Sequence, residues 1–280
     1  MKIKKILIIG KNSFIGSNLF YFFKKKNIKV KLISYSDFFK KDFFKKDFNY
    51  VINCSSNLNF IKNKYDKKFD HDLQISKKIK YFPTKLILIS TRKVYKPKFN
   101  IKESYKKIPN CNYSRNKMAS ENNSKKILKN KILILRVSNL LGFSNKKSRK
   151  LHNTFIDIFI KNIKKGLIYK NKKIYKDFIS IKKFCEITLK LIKINSYGIY
   201  NVSLGKKVYL YQLVTWLNYY NNKRTINLTA KKSFNKDCFT LNNHKLMKKI
   251  KIKNSVKELK KECLELSKLF FKYKYFKSYE

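Results

Sequence analysis

The sequence predicts an α/β protein built on a doubly wound parallel β-sheet. Up to Gly142, short apolar runs typical of buried strands alternate with longer amphipathic segments typical of helices. The first apolar run ends at Gly10, and a second glycine, Gly16, lies where the chain becomes helical. Strands and helices that alternate at this spacing favour parallel strands with helices on both faces of the sheet.

The predicted elements follow in order along the chain. Buried strands are predicted at residues 6–9, 28–34, 50–54, 85–90 and 131–138. Helices are predicted between them, over residues 14–26, 66–80 and 113–129. Beyond Gly142 the alternation loosens, and the pattern predicts a helix over 151–165, a strand over 173–181, a helix over 182–193, a strand over 198–204 and a last helix over 255–272.

The formal net charge of +53 is of the kind found in nucleic-acid-binding proteins. Only five of the 69 basic residues are arginines, however, and the lysines are spread over every predicted element. A dedicated nucleic-acid binder concentrates its charge on one face and uses arginine for bidentate contacts to bases. The composition therefore disfavours a specific nucleic-acid partner, and the charge is expected to attract anionic cofactors and substrates.

The five cysteines show no CxxC spacing, which argues against a disulfide framework and against a zinc site. We expect no bound metal. The N-terminal run MKIKKILIIGK is too short for a secretory signal, and no stretch reaches the roughly 18 apolar residues of a membrane span. The sequence therefore predicts a cytoplasmic protein without a membrane partner.

The candidate phosphate-binding turn is GKNSFIG at residues 10–16. The first glycine permits a tight turn, and the last lets the helix pack on the sheet, so that a cofactor pyrophosphate lies on the helix N-terminus. Ser13 stands where the pattern has its middle glycine, and this small residue should be tolerated with some loss of affinity. The alternative is an ordinary strand–turn–helix connection without a ligand. The residues predicted to contact the cofactor here are Gly10, Asn12, Ser13, Phe14, Ile15 and Gly16.

The end of the second strand indicates which dinucleotide binds. An acidic residue at this place holds the ribose 2′-hydroxyl of NAD. Here the place is taken by Ser34 and Tyr35, with Lys31 nearby, and Asp37 comes later. The sequence therefore favours NADP over NAD as the cofactor.

Seven segments carry a family resemblance, from residue 1 to about residue 205: GKNSFIGSNL, VINCSSN (51–57), LILISTRKVY (86–95), YSRNK (113–117), LRVSNLLG (135–142), KDFISIKKF (176–184) and GIYNVSLG (198–205). In order and spacing they resemble the extended short-chain dehydrogenase/reductases, the NAD-dependent epimerase/dehydratase family. The resemblance implies a Rossmann-like NAD(P)-binding domain at 1–142, completed by 173–204. It also implies a small substrate-binding lobe from 143–172 and 205–280, and cofactor contacts from Cys54, Ser55 and Ser56.

The YxxxK pair of this family carries no information by itself here, because six tyrosines have a lysine four residues on. Tyr113 and Lys117 are distinguished by their place: they follow the STRKVY strand by one loop and open a helix, on which residues four apart share a face. The resemblance implies that Thr91 orients the substrate oxygen, that Tyr113 transfers a proton, and that Lys117 lowers the pKa of the tyrosine and holds the nicotinamide ribose. Tyr113 and Lys117 thus also count as cofactor contacts. Taken alone, Thr91 is better explained as a strand-end hydroxyl that caps a loop.

Three further polar residues are predicted to meet the substrate: Asn57, Asn139 and Asp177. Asn139 could equally be a turn residue, and Asp177 a plain strand end. His71, between Asp70 and Asp72, is predicted to lie on a solvated face and not at a site.

The resemblance also indicates which of the family's reactions is expected. Sugar 4,6-dehydratases of this family carry Asp-Glu directly after the active Thr, and here those positions hold Arg92 and Lys93. A 4-keto reduction of a nucleotide-linked sugar is therefore favoured, since the short link between the second and third strands resembles that of sugar 4-keto reductases. The alternatives are a nucleotide-sugar 4-epimerase and a non-catalytic NADP-binding sensor or scaffold. Analogy also suggests a homodimer through the helices at 66–80 and 113–129.

Overall fold

The computed structural model describes residues 5–40, 48–143, 155–170, 172–222, 226–229, 237–252 and 254–272. It contains a six-stranded, wholly parallel sheet in the order β10-β5-β4-β3-β1-β2. The strands of this sheet are β1 (Ile6–Ile9), β2 (Val30–Ile33), β3 (Tyr50–Asn53), β4 (Lys85–Thr91), β5 (Ile132–Val137) and β10 (Gly198–Val202). The predicted doubly wound parallel sheet is confirmed.

Helices follow the strands of the sheet. The described helices are α1 (Phe14–Lys25), α2 (Tyr35–Lys40), α3 (Leu58–Lys62), α4 (His71–Ile79), α5 (Asn112–Leu128), α6 (Phe155–Lys164), α7 (Ile181–Lys193), α8 (Leu210–Leu217), α9 (His244–Ile250) and α10 (Val256–Phe271). Of these, α1 and α7 cover one face of the sheet, and α4 and α5 cover the other.

Alternating side chains of the strands build the two cores. In β1, Ile6 and Ile8 contact one core, which includes Leu19 and Phe23 of α1. The intervening Leu7 and Ile9 contact the opposite core with Ile75 of α4. All four strand residues are fully buried, which explains why the run reads as continuously apolar: both faces of a parallel sheet are covered. Each such buried aliphatic side chain contributes about 1.5–3 kcal/mol of hydrophobic free energy.

The later part of the chain forms a third apolar cluster beside the sheet, from parts of α6, α8 and α10. Three pairs of short strands accompany it: β6 (Asn139–Leu141) with β9 (Phe178–Ser180), β7 (Leu167–Lys170) with β12 (Ile226–Thr229), and β8 (Tyr175–Lys176) with β11 (Val208–Tyr209). Phe178 packs in this cluster while its neighbour Ile179 packs in the sheet core, so β9 joins the two. The division into domains stays a prediction.

Two predicted elements are broken by aspartates. The helix predicted over 66–80 is a short 3-10 turn at Lys67–Phe69 followed by α4, because the Asp70 carboxylate caps the amide of Leu73 and starts a new helix. The strand predicted over 173–181 is divided into β8 and β9 at Asp177. The first residues of the helix predicted over 151–165 lie outside the described residues.

The carboxyl ends of the strands meet at one edge of the sheet. The strand order reverses between β1 and β3, since the chain runs from β1 to β2 on one side and then crosses to β3 on the other. Ligands of open α/β sheets bind in the crevice at such a reversal. A ligand is therefore expected to bind near the residues that follow Ile9, Asn53 and Thr91.

Candidate active site

The turn after β1 is built around two glycines that admit no side chain. Gly10 has φ +121°, and a Cβ there would lie 2.9 Å from the carbonyl carbon of Cys54 at the end of β3. A Cβ on Gly16 would lie 2.6 Å from the carbonyl oxygen of Gly10. The turn thus lies directly against β3 and against the first turn of α1, as a dinucleotide-binding turn requires.

The N-terminus of α1 presents backbone amides at this edge. Ser13 is the N-cap, and its hydroxyl oxygen accepts a hydrogen bond from the amide of Gly16 at 3.3 Å. Within the described part of the chain, the amides of Phe14 and Ile15 have no acceptor, and Asn12 is exposed beside them. Two amides at the positive end of a helix suit a phosphate, so the residues present fit a bound dinucleotide.

The end of β2 holds no acidic residue. The hydroxyl oxygen of Ser34 accepts from the amide of Asp37 at 3.0 Å and lies 2.9 Å from the hydroxyl of Ser36, so it is engaged in starting α2. The ring of Tyr35 stacks on His71, with 3.4 Å between ring centroids and 6° between the ring planes. Burial, together with Asp70 and Asp72, raises the pKa of Tyr35 to about 12.

A chain of hydrogen bonds leads from His71 into the site. The Nδ1 atom of His71 lies 3.0 Å from the hydroxyl of Ser55, which donates to the amide oxygen of Asn53 at 2.7 Å. The amide nitrogen of Asn53 donates to Asp72 at 2.7 Å. Burial lowers the pKa of His71 to about 4, so the imidazole is neutral near pH 7. Cys54 and Ser56, predicted cofactor contacts, flank Ser55 and are half-buried at the same edge.

The prediction of a solvated face around His71 is wrong. Asp70 is fully buried and Asp72 is 2% exposed. The two aspartates flank the start of α4, which packs against α5, so their side chains point into the seam between the two helices. The partners of Asp72 are Asn53 and Lys117, which are 19 and 45 residues away and were therefore invisible in the local pattern. Asp70 accepts from the hydroxyl of Tyr65, five residues before it.

Lys117 is paired with Asp72. Its ammonium nitrogen lies 2.9 Å from the Oδ2 atom of Asp72, and the side chains are 8% and 3% exposed. Asp72 and Tyr113 raise the pKa of Lys117 above its ordinary value, although burial acts in the opposite direction. The lysine is therefore charged at any physiological pH.

Tyr113 lies one helical turn before Lys117, in the first turn of α5. Burial raises the pKa of the Tyr113 phenol above its ordinary value; Lys117 lowers it, and Asp72 and Cys111 raise it. The structure thus places Tyr113, Lys117 and Asp72 in one electrostatic group. Asp72, the carboxylate of this group, was not predicted from the sequence.

Thr91 is the last residue of β4, and its hydroxyl oxygen accepts from the amide of Lys93 at 3.2 Å. The loop-capping role considered for it is thus present in the structure. The next turn, Arg92–Val94, packs against α5. Moreover, although burial raises it, the pKa of the Cys111 thiol is lowered by hydrogen bonds with Ser114 and by the ammonium of Lys93, and Cys111 in turn acts on the pKa of Tyr113. The end of β4 and the start of α5 are therefore neighbours at the carboxyl edge of the sheet.

Arg92 ties this turn to the later part of the chain. Its guanidinium donates to Asp237 at 2.6 Å and lies 4.0 Å over the ring of Phe239. Lys176 donates to the other oxygen of Asp237 at 2.6 Å. The position that carries an acid in sugar 4,6-dehydratases thus carries a buried cation that already has a carboxylate partner.

The three predicted substrate residues have structural partners. Asn57 is the N-cap of α3, and its side chain accepts from the amide of Asn59. Asn139 donates its side-chain amide to the carbonyl oxygen of Asp177 at 3.1 Å. Asp177 is fully buried, and its carboxylate accepts from the amides of Leu204, Gly205 and Leu241. Asp177 therefore anchors three segments to one another and presents no surface to a cleft.

The described residues form neither a metal-binding cluster nor a membrane-spanning helix. In the parts of the chain that the structure describes, no three His, Cys, Asp or Glu side chains form a group able to hold a metal ion. None of the described helices combines the length and the apolar character needed to cross a membrane. His152 lies outside the described residues.

A family model and several solved structures match this chain. The family model of the NAD dependent epimerase/dehydratase family matches residues 6–203. No curated protein sequence matches the chain.

The fold is similar to that of a dTDP-4-dehydrorhamnose reductase from Clostridium acetobutylicum, with a TM-score of 0.75 and 20% identity, covering 94% of this chain and 99% of the other. It is also similar to a UDP-N-acetylglucosamine 4-epimerase from Methanobrevibacter ruminantium, with a TM-score of 0.78 and 21% identity over 97% and 99% of the two chains. A dTDP-glucose 4,6-dehydratase from Bacillus anthracis, solved in complex with NAD, gives a TM-score of 0.75 and 16% identity over 96% of each chain. At these identities the similarity to solved structures establishes the fold alone. The family is established by the family model, which covers well over half of the chain. The chain belongs to the NAD-dependent epimerase/dehydratase family.

Proposed function

We propose that this protein is an NAD(P)-dependent oxidoreductase that reduces the 4-keto group of a nucleotide-linked sugar. The observation that carries the proposal is the Tyr113–Lys117 couple in the first turns of α5, in which Lys117 is buried against Asp72. Lys117 acts on the pKa of Tyr113 and also on that of Cys54, the residue against which Gly10 of the glycine turn lies. A buried ammonium beside a phenol is costly to maintain and gives the phenol an environment suited to proton transfer. A 4-epimerase is the second candidate, since the same three side chains serve both reactions.

The protein's own residues have separate roles in this proposal. The amides of Phe14 and Ile15 hold the pyrophosphate, and Lys117 holds the ribose next to the nicotinamide. Thr91 donates a hydrogen bond to the substrate carbonyl oxygen and orients it, and Tyr113 donates the proton that this oxygen receives. When bound, the reduced dinucleotide supplies the hydride that adds to the carbonyl carbon and is itself oxidised.

The dinucleotide is proposed to be NADP in preference to NAD. The end of β2 offers hydroxyl groups and no carboxylate to the adenosine ribose, and the excess of lysine favours a further phosphate. The Bacillus anthracis structure is an NAD complex, so NAD is the alternative. Binding of both dinucleotides, measured by calorimetry, decides between them.

Elimination of water is disfavoured because the acid that it needs is missing. Arg92 and Lys93 follow Thr91, and Arg92 is tied to Asp237. A non-catalytic sensor or scaffold would have no use for a buried Tyr–Lys couple, so we place this alternative last.

The test is a turnover screen of the purified protein against nucleotide-linked 4-ketosugars and their alcohols, with NADH and NADPH. The Tyr113→Phe variant should lose activity by about 100- to 10,000-fold, because a positioned proton donor contributes that much. It should bind the dinucleotide as the wild type does.

Tyr81→Phe is the matched control, since Tyr81 also has a lysine four residues on but is 84% exposed. It should leave turnover unchanged. Equal losses in both variants, or full activity in Tyr113→Phe, would contradict the proposed role of Tyr113. Dinucleotide binding without turnover of any substrate would favour the sensor.

We propose a cytoplasmic protein and a homodimer that pairs α4 and α5 with the same helices of a second copy. Sedimentation equilibrium at moderate salt tests the dimer, since like charges on this highly basic protein oppose association at low salt.

A further inference from the structure

The ion pair between Lys117 and Asp72 joins two helices inside the protein. Asp72 lies in the first turn of α4 and Lys117 lies on the inner face of α5, with 2.9 Å between their charged atoms. Both side chains are more than nine-tenths buried. Water therefore screens this pair little, and each charge acts strongly on its neighbours.

Asp72 is held in place from its other side. Its Oδ1 atom accepts from the side-chain amide of Asn53 at 2.7 Å, and Asn53 in turn accepts from the amide and the hydroxyl of Ser55. Asn53 is the last residue of β3 and is 2% exposed. The carboxylate thus has a fixed position relative to the sheet edge at which the dinucleotide is proposed to bind.

Three charged or titratable groups near Tyr113 act on the pKa of its phenol: Lys117, one turn on in the same helix, Asp72 from α4, and Cys111 from the segment before α5. Only Lys117 favours the phenolate, while the other two oppose it. Among these three groups, the cation that favours the phenolate is therefore held by a carboxylate that acts in the opposite direction.

We propose that Asp72 is a positioning residue that neutralises Lys117 and thereby keeps Tyr113 protonated, which makes the site a proton donor for ketone reduction in preference to a base for alcohol oxidation. This inference rests on the proposed function and deepens it, because it assigns the direction in which the site is suited to transfer the proton. An epimerase must begin by removing a proton from an alcohol, whereas a reductase begins by giving one to a ketone.

The proton balance of the reductive step follows from these groups. Hydride from the reduced nicotinamide adds to the carbonyl carbon as the C=O π bond opens, and the Tyr113 proton goes to the carbonyl oxygen. The tyrosine is left as the phenolate, which Lys117 stabilises until a solvent proton restores the phenol. Asp72 makes that return favourable, because it opposes the phenolate.

The experiment measures the titration of Tyr113 directly in the protein without cofactor. NMR of protein with isotope-labelled tyrosine rings gives the midpoint, and Tyr113→Phe identifies the resonance. In the wild type the midpoint should lie above the ordinary tyrosine value of about 10. In Asp72→Asn, which keeps the size and one oxygen acceptor, it should fall by about one pH unit, which is about tenfold more phenolate at a given pH.

Asp70→Asn is the matched control. It removes the same charge from a buried carboxylate two residues away and keeps the oxygen that caps α4, but Asp70 pairs with Tyr65 and not with Lys117. Its effect on the Tyr113 midpoint should be clearly smaller. The conservative variant Asp72→Glu, which retains the charge, should restore most of the wild-type midpoint.

The same variants give a kinetic signature in the active enzyme. In Asp72→Asn, kcat/KM for ketone reduction should begin to fall at a lower pH than in the wild type, and alcohol oxidation near neutral pH should rise. A loss of fold alone would depress both directions at every pH.

A wild-type midpoint at or below about 10, or equal shifts in the two Asn variants, would overturn the inference. Because burial by itself also raises the wild-type midpoint, the difference between Asp72→Asn and Asp70→Asn decides whether the Asp72 charge contributes. A protein with the predicted titrations but without turnover of any nucleotide sugar would overturn the proposed function and not the electrostatic role of Asp72. Turnover of a nucleotide sugar, together with an unchanged Tyr113 midpoint in Asp72→Asn, would overturn the electrostatic role of Asp72 and not the proposed function.

Discussion

Ser13 and a bound phosphate compete for the same helix terminus. The side chain of Ser13 caps the amide of Gly16, which leaves the amides of Phe14 and Ile15 for an anion. A glycine at the N-cap would leave all three amides available, at a cost to the helix of only a few tenths of a kcal/mol. The hydroxyl thus stabilises α1 in the absence of ligand and weakens its capacity for phosphate.

Ser13→Gly should therefore bind the dinucleotide about tenfold more tightly, because one more hydrogen bond to a charged group contributes about 1.5 kcal/mol. Isothermal calorimetry with NADPH and NADH measures the change. Ser13→Ala serves as the control, since it removes the cap but keeps the Cβ. It should destabilise the fold by about 1 kcal/mol and also free the Gly16 amide, so that any further gain in Ser13→Gly measures the closer approach of phosphate that the missing Cβ permits. Weaker dinucleotide binding by Ser13→Gly would mean that the hydroxyl contacts the phosphate itself.

At the scale of elements, α5 is held on the sheet by charges as well as by apolar packing. Its inner face is unusually polar: Ser114, Asn116, Lys117, Ser120, Glu121 and Ser124 are all buried. Glu121 receives hydrogen bonds from Ser90 of β4 and, through two nitrogens, from Arg136 of β5. Since Ser90 precedes Thr91 and Glu121 follows Lys117 by one turn, this contact sets the position of the helix relative to the end of β4, where Thr91 is proposed to act.

Replacement of Arg136 by methionine should destabilise the protein by about 3–5 kcal/mol, because it leaves the Glu121 carboxylate buried without its partner. Urea denaturation followed by circular dichroism measures the change in the free energy of unfolding. The control is Lys68→Ala, which breaks the exposed pair with Asp66 and should change stability by less than about 1 kcal/mol. A similar small effect in both variants would show that apolar contacts alone hold α5.

At the scale of the whole molecule, the charge of +53 acts over distances larger than any one site. It should attract polyanions without selecting among them, because lysines spread over all elements offer no fixed pattern of donors to bases. Dinucleotide binding differs in kind, since backbone amides and a shaped turn hold the phosphate.

The affinity for random duplex DNA should therefore fall by about 1,000-fold or more between roughly 50 and 200 mM salt, whereas the affinity for the dinucleotide should fall much less. Fluorescence anisotropy with DNA duplexes of several sequences measures the first, and calorimetry the second. Binding of one DNA sequence that persists at the higher salt would contradict the exclusion of a specific nucleic-acid partner.

Much of this molecule follows from local sequence patterns. The six strands of the sheet, the helices that cover it and the glycine turn after β1 were all predicted, because buried strands and amphipathic helices leave periodic apolar runs. Tyr113 and Lys117 were distinguished from five similar pairs by their order relative to the predicted strands. Their identification required topology and not contact information.

Only the tertiary structure decided which side chains face one another. The pairs Asp72–Lys117, Glu121–Arg136 and Asp237–Arg92 join residues that are far apart in sequence, and a charged residue gives no local sign that its partner will bury it. For this reason the aspartates around His71 were wrongly predicted to be solvated, and the anchoring contacts of Asp177 were not foreseen. The apolar periodicity of a segment shows which of its faces packs against the core. The burial of a single charge depends instead on a partner that long-range packing brings within 3 Å.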